Sequence, residues 1–133
     1  MRPVEADKTI FLQFQKEVVA VIPENKRWSM KTGVEYFPAY ESLNPYNIFI
    51  KRKPEDVANS LCKKRPECDY DAALEATLWR FNYMDKIQAK RGGVIVDTDK
   101  IFSGDYSEII EALKYCDIDY DEKLIKDSIK RGD

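Results

Sequence analysis

Residues 46–65 constrain the fold more than any other stretch, because their hydrophobic pattern, turn residues and charges all indicate one local structure. Residues 48–50 (Ile-Phe-Ile) form a short β-favouring run that follows the turn signal Asn44-Pro45 and is too apolar for a solvated face. Pro54 then stands where its fixed φ suits a first helical turn, and two acidic residues follow it at positions that favour a helix N-terminus. The stretch therefore predicts a buried strand, a basic turn and a helix that begins near Lys53.

Hydrophobic periodicity predicts three further elements on the N-terminal side of this corner. Residues 6–22 carry an apolar stripe at helical spacing, and residues 27–31 alternate as a short strand does. Residues 34–43 are predicted as a helix despite Pro38, which could also make the stretch irregular or kinked.

The C-terminal side alternates between helices and a strand. Asp69 is a candidate N-cap for a long helix over residues 70–90, whose predicted inward stripe comprises Leu74, Leu78, Phe81 and Ile87. Residues 94–96 predict a second buried strand, and helices are expected over residues 107–115 and 120–130. Strands separated by helices imply a parallel sheet, so we expect a three-layer α/β sandwich.

Length and composition limit the class of protein. A chain of 133 residues with 44% hydrophobic residues predicts a single domain over residues 1–133. The longest apolar run is far shorter than a membrane span and no leader is recognisable, so we expect a cytoplasmic protein that does not contact a membrane. Three cysteines without a CxxC pair and the absence of histidine make a zinc site improbable, and we expect no bound metal.

Charge is unevenly distributed along the chain. Residues 51–65 hold six basic side chains against two acidic ones, whereas residues 97–127 hold ten acidic side chains against four basic ones. Both regions could be ordinary solvated surface, or the basic one could meet an anionic partner. No regularly spaced aromatic residues flank the basic cluster as stacking platforms, so nucleic acid is an unlikely partner.

Three polar dipeptides follow the predicted strands: Lys31-Thr32, Lys51-Arg52 and Asp97-Thr98. Ligands of parallel sheets bind outside the carboxyl ends of the strands, so these dipeptides are expected to meet at one edge of the sheet. Guanidinium and hydroxyl groups are good phosphate donors, and both Arg52 and Ser60 could point to one side of the strand-to-helix corner. The corner is therefore a candidate phosphate site.

The same residues carry a resemblance to a known family. Arg52, Pro54, Asp56-Val57 and Ser60 match the arginine-x-proline-x-aspartate-valine-x-x-serine pattern of the sulfotransferases that use 3′-phosphoadenosine 5′-phosphosulfate. In that family the arginine and the serine hold the 3′-phosphate of the donor. The resemblance implies these roles for Arg52 and Ser60, and 3′-phosphoadenosine 5′-phosphosulfate as the nucleotide-type sulfuryl donor.

The resemblance extends over about residues 27–118. Residues 28–32 (WSMKT) look like the family's strand that ends in lysine-threonine, which implies a sulfuryl-contacting, catalytic role for Lys31. Trp79 resembles a tryptophan of the family's long helix, and residues 94–118 resemble its next strand, link and helix. The chain thus resembles part of a P-loop sulfotransferase-like domain that transfers a sulfuryl group to an unknown acceptor.

Two departures from the family pattern limit what the resemblance implies. No glycine-rich loop that could cradle the 5′-phosphosulfate precedes Lys31, and no histidine is present as general base. Glu35 or Asp97 could serve as the base by location alone. We therefore expect a partial or shortened relative whose catalytic competence is open, and whose incompletely covered sheet makes a homodimer plausible.

Other hypotheses fit the same residues. The chain could be a non-catalytic α/β module that binds an anionic partner or a nucleotide through its basic corner, or a fragment of a P-loop kinase. In the plainest interpretation, Arg52 and Ser60 cap the helix or form an ion pair with Asp56, and Lys31 is an exposed residue at a strand end.

Overall fold

The computed structural model describes residues 13, 17, 27 and 29–130, without the side chains of Ala39 and Lys130. These residues belong to two compact units, which comprise residues 1–45 and 46–133. The predicted helix over residues 6–22 lies outside the described residues except for Gln13 and Glu17, which are both helical. Within the described part of the chain, no helix has the length and hydropathy needed to cross a membrane.

The first unit contains a short helical segment. A 3-10 turn at Val34–Tyr36 leads into helix α1 at Phe37–Tyr40, and a second 3-10 turn at Glu41–Leu43 follows. The predicted helix over residues 34–43 is thus confirmed in helical character but divided into three short pieces, with Pro38 in the first turn of α1. The predicted strand over residues 27–31 is wrong for its described residues, because Arg27 and residues 29–31 have no regular structure and pair with no described strand.

The second unit contains two strands and five helices among its described residues. In chain order they are strand β1 (Ile48–Lys51), helices α2 (Pro54–Lys64) and α3 (Tyr70–Arg91), strand β2 (Val94–Asp97), and helices α4 (Thr98–Phe102), α5 (Ser107–Tyr115) and α6 (Glu122–Lys130). Every element predicted for this unit is confirmed to within two residues at its start. Helix α4 was not predicted.

The two strands form a parallel pair, as predicted, in the register Ile48 to Val94 through Lys51 to Asp97. Gly93 permits this close pairing. A Cβ at Gly93 would stand 2.8 Å from the backbone oxygen of Asn47, and its φ of 134° is one that other residues rarely adopt. The described fold is therefore mixed α/β, with a small two-stranded parallel sheet among several helices.

The core of the sheet lies over β2. Val94, Val96 and Ala112 are buried together, because helix α5 packs on β2, and Ile101, Ile109 and Tyr115 pack around them. Phe49 of β1 is also buried, but Ile48 and Ile50 are 41% and 56% exposed. The prediction of a fully buried β1 is wrong for these two isoleucines.

Helices α2 and α3 pack against each other through small side chains. Four of the five buried residues of this pair are small, namely Ala58, Ala73, Ala76 and Thr77, and the fifth is Ile87. The Thr77 hydroxyl donates a hydrogen bond of 2.8 Å to the carbonyl of Ala73. Of the predicted inward stripe only Ile87 is buried, whereas Leu74 and Phe81 are half-buried and Leu78 is 51% exposed. Alanine suits the buried positions of this helix pair, because its small side chain lets two helix backbones approach closely.

A disulfide between Cys62 and Cys68 joins the end of α2 to the connection before α3, with 4.9 Å between the two Cα atoms. Cys116 is buried and is not part of this disulfide. The sequence pattern did not predict this pairing. Because disulfides persist mainly in oxidising compartments, the cytoplasmic location stays a prediction.

Candidate anion-binding site

The predicted phosphate corner is formed by the end of β1 and the start of α2. Arg52 and Lys53 are exposed in the two-residue turn between these elements, and Pro54 occupies the first helical position. The Lys53 carbonyl accepts hydrogen bonds from the N–H groups of Asp56 and Val57 at 3.0 and 3.2 Å. No side chain caps this end of α2 among the described residues. Because Pro54 has no N–H and those of Asp56 and Val57 are bonded, the Glu55 N–H is the donor of the first turn that is left for an anion.

The end of β2 lies beside this corner. In the parallel register Lys51 is opposite Asp97, and the Thr98 hydroxyl donates a hydrogen bond of 3.3 Å to the Lys51 carbonyl. The predicted meeting of Lys51-Arg52 with Asp97-Thr98 at one sheet edge is therefore confirmed.

The Asp97 carboxylate accepts a hydrogen bond of 2.9 Å from the N–H of Asp99, which makes it the N-cap of α4. The signal for α4 was present as Asp97 followed by an acidic first turn.

Lys51 is directed away from the exposed corner. Its Nζ atom lies 2.6 Å from the carboxylate of Asp85 and 5.6 Å from the ring centroid of Phe81, both on α3. The alternation of side chains along an extended chain explains this direction, since Lys51 shares the face of buried Phe49 whereas Arg52 does not. Of the two basic residues predicted at this strand end, Arg52 is the one that remains exposed.

Arg52 and Ser60 carry the predicted binding roles. Arg52 is exposed, Ser60 is half-buried, and neither side chain forms a hydrogen bond or an ion pair with a residue that the structure describes. The alternative in which Arg52 pairs with Asp56 is therefore absent from the described contacts. Ser60 lies about 9 Å along the helix axis from Pro54, so the long Arg52 side chain must fold along α2 if one phosphate is to contact both.

Acidic groups surround the corner. Glu108 holds the end of β2, because its carboxylate accepts a hydrogen bond of 2.8 Å from the N–H of Asp97 and lies 3.3 Å from Nζ of Lys100. The hydrogen bond and negative charge of Glu108 raise the pKa of exposed Lys100 above its ordinary value. Asp56 lies one helical turn before Ser60 and shares its face. An anion at this corner would be attracted by Arg52 and opposed by Asp56.

The basic cluster of residues 51–65 is not one patch. Helix α2 separates residues 51–53 from Lys63, Lys64 and Arg65 by about 16 Å, the length of an eleven-residue helix. Each group of basic side chains is therefore a separate, small positive region. This division removes the continuous basic stripe that a nucleic-acid backbone would contact.

Lys31 belongs to the first unit, where it is exposed and has no regular structure. Its predicted role depended on a strand that would carry it to the sheet edge, and that strand is absent from the described residues. Glu35, which with Asp97 was one of two candidate bases, lies in the first 3-10 turn of the same unit. The structure therefore places Arg52 in the turn before α2 and Ser60 nearly two turns into that helix, whereas Lys31 belongs to the other unit.

Cavities occur elsewhere in the second unit. One of about 440 Å³ is lined by residues 117–120 and Lys114, and another of about 370 Å³ lies between α5 and α6. Neither is lined by Arg52 or Ser60. Among the described residues, no group of three or more acidic or cysteine side chains is arranged to hold a metal ion.

No protein-family model, curated protein or solved structure matches this chain.

Proposed function

We propose that the corner between β1 and α2 binds the 3′-phosphate of 3′-phosphoadenosine 5′-phosphosulfate, and that the chain is a partial or shortened sulfotransferase-like protein. The supporting observation is that Arg52, in the turn before α2, and Ser60, within α2, have no described partner for either side chain. In this proposal the two-stranded sheet is part of the three-layer, P-loop-like architecture that the resemblance implies. Lys31 keeps its proposed contact with the sulfuryl group on the resemblance alone.

Three groups would act on the bound phosphate. The Arg52 guanidinium supplies charge-assisted hydrogen bonds, and the Glu55 N–H adds a donor at the start of α2, where the helix dipole is positive. The Ser60 hydroxyl donates a further hydrogen bond. Nothing glycine-rich precedes Lys31 in this sequence to hold the 5′-phosphosulfate, so we expect binding without sulfuryl transfer to an acceptor by this chain alone.

Calorimetry with two nucleotides tests the proposal. Adenosine 3′,5′-bisphosphate should bind more tightly than adenosine 5′-monophosphate, because only the former places a dianion at the 3′ position. Arg52→Ala should cost about 1.5–3 kcal/mol, or roughly ten- to a hundredfold in affinity, and Ser60→Ala about 0.5–1.5 kcal/mol. Asp56→Asn should strengthen binding, since it removes the carboxylate that shares the face of Ser60.

A matched control separates a specific site from general positive charge. Lys63→Ala removes an exposed basic side chain at the far end of α2, and it should leave the affinity for the bisphosphate unchanged. Equal affinity for the two nucleotides, or an Arg52→Ala protein that binds as well as the parent, would contradict the proposal.

A second candidate function is a non-catalytic module for an anionic partner. The observation that favours it is the pair of separate basic groups at the two ends of α2. In that case Arg52→Ala and Lys63→Ala should weaken binding of a polyanion such as heparin to a similar extent. A specific effect of Arg52→Ala on the bisphosphate would favour the first candidate.

A further inference from the structure

One edge of the sheet has no pairing partner among the described residues. The N–H of Val94 donates a hydrogen bond of 3.0 Å to the Asn47 carbonyl, so Asn47 directs its backbone groups towards β2. Successive residues of a strand direct these groups to opposite sides. Ile48 and Ile50 therefore direct their N–H and C=O groups away from β2, and no described residue forms a hydrogen bond with them.

The side chains along this edge are apolar and accessible. Ile48 and Ile50 are exposed and lie on the same face of the sheet as Val94 and Val96, by the parallel register. Open edges are usually protected by an outward lysine, a proline or a bulge. Here the only lysine of β1, Lys51, is held by Asp85 on α3 and does not protect the edge.

We propose that β1 pairs antiparallel with β1 of a second copy of this chain. The twofold axis passes beside Phe49, so that Ile48 of each copy lies opposite Ile50 of the other. In this register the free N–H and C=O groups of both isoleucines form hydrogen bonds with the second copy. The isoleucines of the two copies form one apolar strip, and the dimer has a continuous four-stranded sheet.

Charge and side-chain type favour a second copy in this orientation. Lys51 would lie opposite Asn47, and Arg52 opposite Tyr46, whose exposed ring can accept a cation–π contact. A parallel, in-register pairing would instead place Lys51 and Arg52 against their own copies, and like charges directly opposite each other destabilise a sheet. A two-stranded sheet is marginal on its own, and pairing adds the strands it lacks. Arg52 is shared with the proposed phosphate site, but the backbone pairing and the isoleucine strip require no nucleotide.

Sedimentation equilibrium over a wide concentration range tests the dimer. The paired edge is short, so we expect the dissociation constant of the dimer to lie in the micromolar range. Ile50→Lys should weaken the dimer at least roughly tenfold, because it places a charge in the apolar strip. The matched control is Leu78→Lys, which should leave the dissociation constant unchanged. Leu78 is similarly exposed, but it belongs to α3, which contacts β1 through Lys51 on the opposite face from the isoleucines.

Two outcomes would overturn the dimer. One is a monomer at every concentration reached, and the other is a dimer that Ile50→Lys and Leu78→Lys affect equally. Circular dichroism establishes that each variant is folded. Ile50→Thr, which keeps a β-branched side chain, replaces Ile50→Lys if the latter fails to fold, and it should also weaken association.

Cysteine cross-linking tests the register. Oxidation of a mixture of Ile48→Cys and Ile50→Cys proteins should give a cross-linked dimer, because directly opposite residues lie about 5.5 Å apart between Cα atoms. Either variant alone should cross-link much less. In a dimer of one variant, the introduced cysteine of each copy is offset by two residues from that of the other copy. The parent protein gives the background from its native cysteines. Equal cross-linking by the single variants would overturn the proposed register.

Discussion

Strands β1 and β2 have similar apolar runs, IFIK and VIVD, yet they differ sharply in burial. Val94 and Val96 of β2 are 7% and 2% exposed, whereas Ile48 and Ile50, which lie beside them in the sheet, are 41% and 56% exposed. The difference arises because α5 packs on β2. An apolar run determines that a strand forms, but the helix that covers the strand determines which of its side chains are buried.

The carboxyl ends of the two strands differ in the same way. Asp97 at the end of β2 caps α4, and its N–H is held by Glu108. Beyond the end of β1, Arg52 has no described partner. On the face that α5 covers at β2, the isoleucines of β1 are open, although the other face of β1 holds buried Phe49. The end of β2 is occupied by α4 and Glu108, and the residue beyond the end of β1 is exposed. Both proposals made above concern β1 and the turn that follows it.

The largest difference between the two strands is expected when the same charge is placed on neighbouring residues of β1 and β2. Val96→Asp should destabilise the protein by roughly 3–5 kcal/mol, because it buries an uncompensated carboxylate under α5. Ile50→Asp, on the same face and in the adjacent strand, should cost less than about 1 kcal/mol. Denaturant unfolding at low protein concentration measures both values. Equal losses would mean that β1 is as well covered as β2.

Helix α3 also contains a small buried residue, Ala76, and a larger exposed one, Leu78, and substitutions at the two should differ in their cost. Ala76→Leu should cost about 1–3 kcal/mol, because Ala76 is buried where α3 packs and a larger side chain would overfill that space. Leu78→Ala, two residues later on the exposed side, should change the free energy of unfolding by less than about 0.5 kcal/mol. A larger loss of unfolding free energy for Leu78→Ala than for Ala76→Leu would mean that Leu78 packs inward, as the sequence predicted.

The smallest effect concerns the start of α5, the helix that covers β2. The Asp105 carboxylate accepts hydrogen bonds from the N–H and the hydroxyl of Ser107, at 3.0 and 2.6 Å, and these bonds lower the pKa of Asp105 below its usual 3.8. A lowered pKa stabilises the fold above that usual value, and the contribution is lost as the pH falls through the folded-state pKa.

Asp105→Ala should therefore lower the melting temperature at neutral pH, and the difference from the parent should shrink as the solution is acidified below pH 3.8. Asp127→Ala, an exposed carboxylate within α6, is the control and should have little effect at either pH. A melting-temperature difference for Asp105→Ala that stays constant with pH would show that the carboxylate charge is not responsible.

The sequence predicted most of the second unit because the signals there are local. Pro54 starts α2 and Asp69 caps α3 through hydrogen bonds to the N–H groups of Asp71 and Ala72, both within three residues. Such signals depend on residues close in the chain and do not require knowledge of the tertiary structure.

Burial could not be predicted in the same way because it depends on packing between distant elements. The alternation around Met30 resembled a strand, but an isolated alternating run needs a partner strand, and none is described for it. The Cys62–Cys68 disulfide required the chain to reverse between α2 and α3, which spacing alone did not indicate. For the candidate site, the strand-to-helix corner was predictable from residues 46–65, whereas the separation of Lys31 from its expected strand was not.

The most direct test of the proposed nucleotide site is an NMR titration of the ¹⁵N-labelled protein with adenosine 3′,5′-bisphosphate. We expect the largest amide shifts at Arg52, Lys53 and residues 55–57, with a further shift at Ser60, because the phosphate would lie against the turn and the start of α2. The same titration of Arg52→Ala should give much smaller shifts at these positions. Shifts concentrated instead at Lys63, Lys64 and Arg65, or equal shifts with adenosine 5′-monophosphate, would contradict the account.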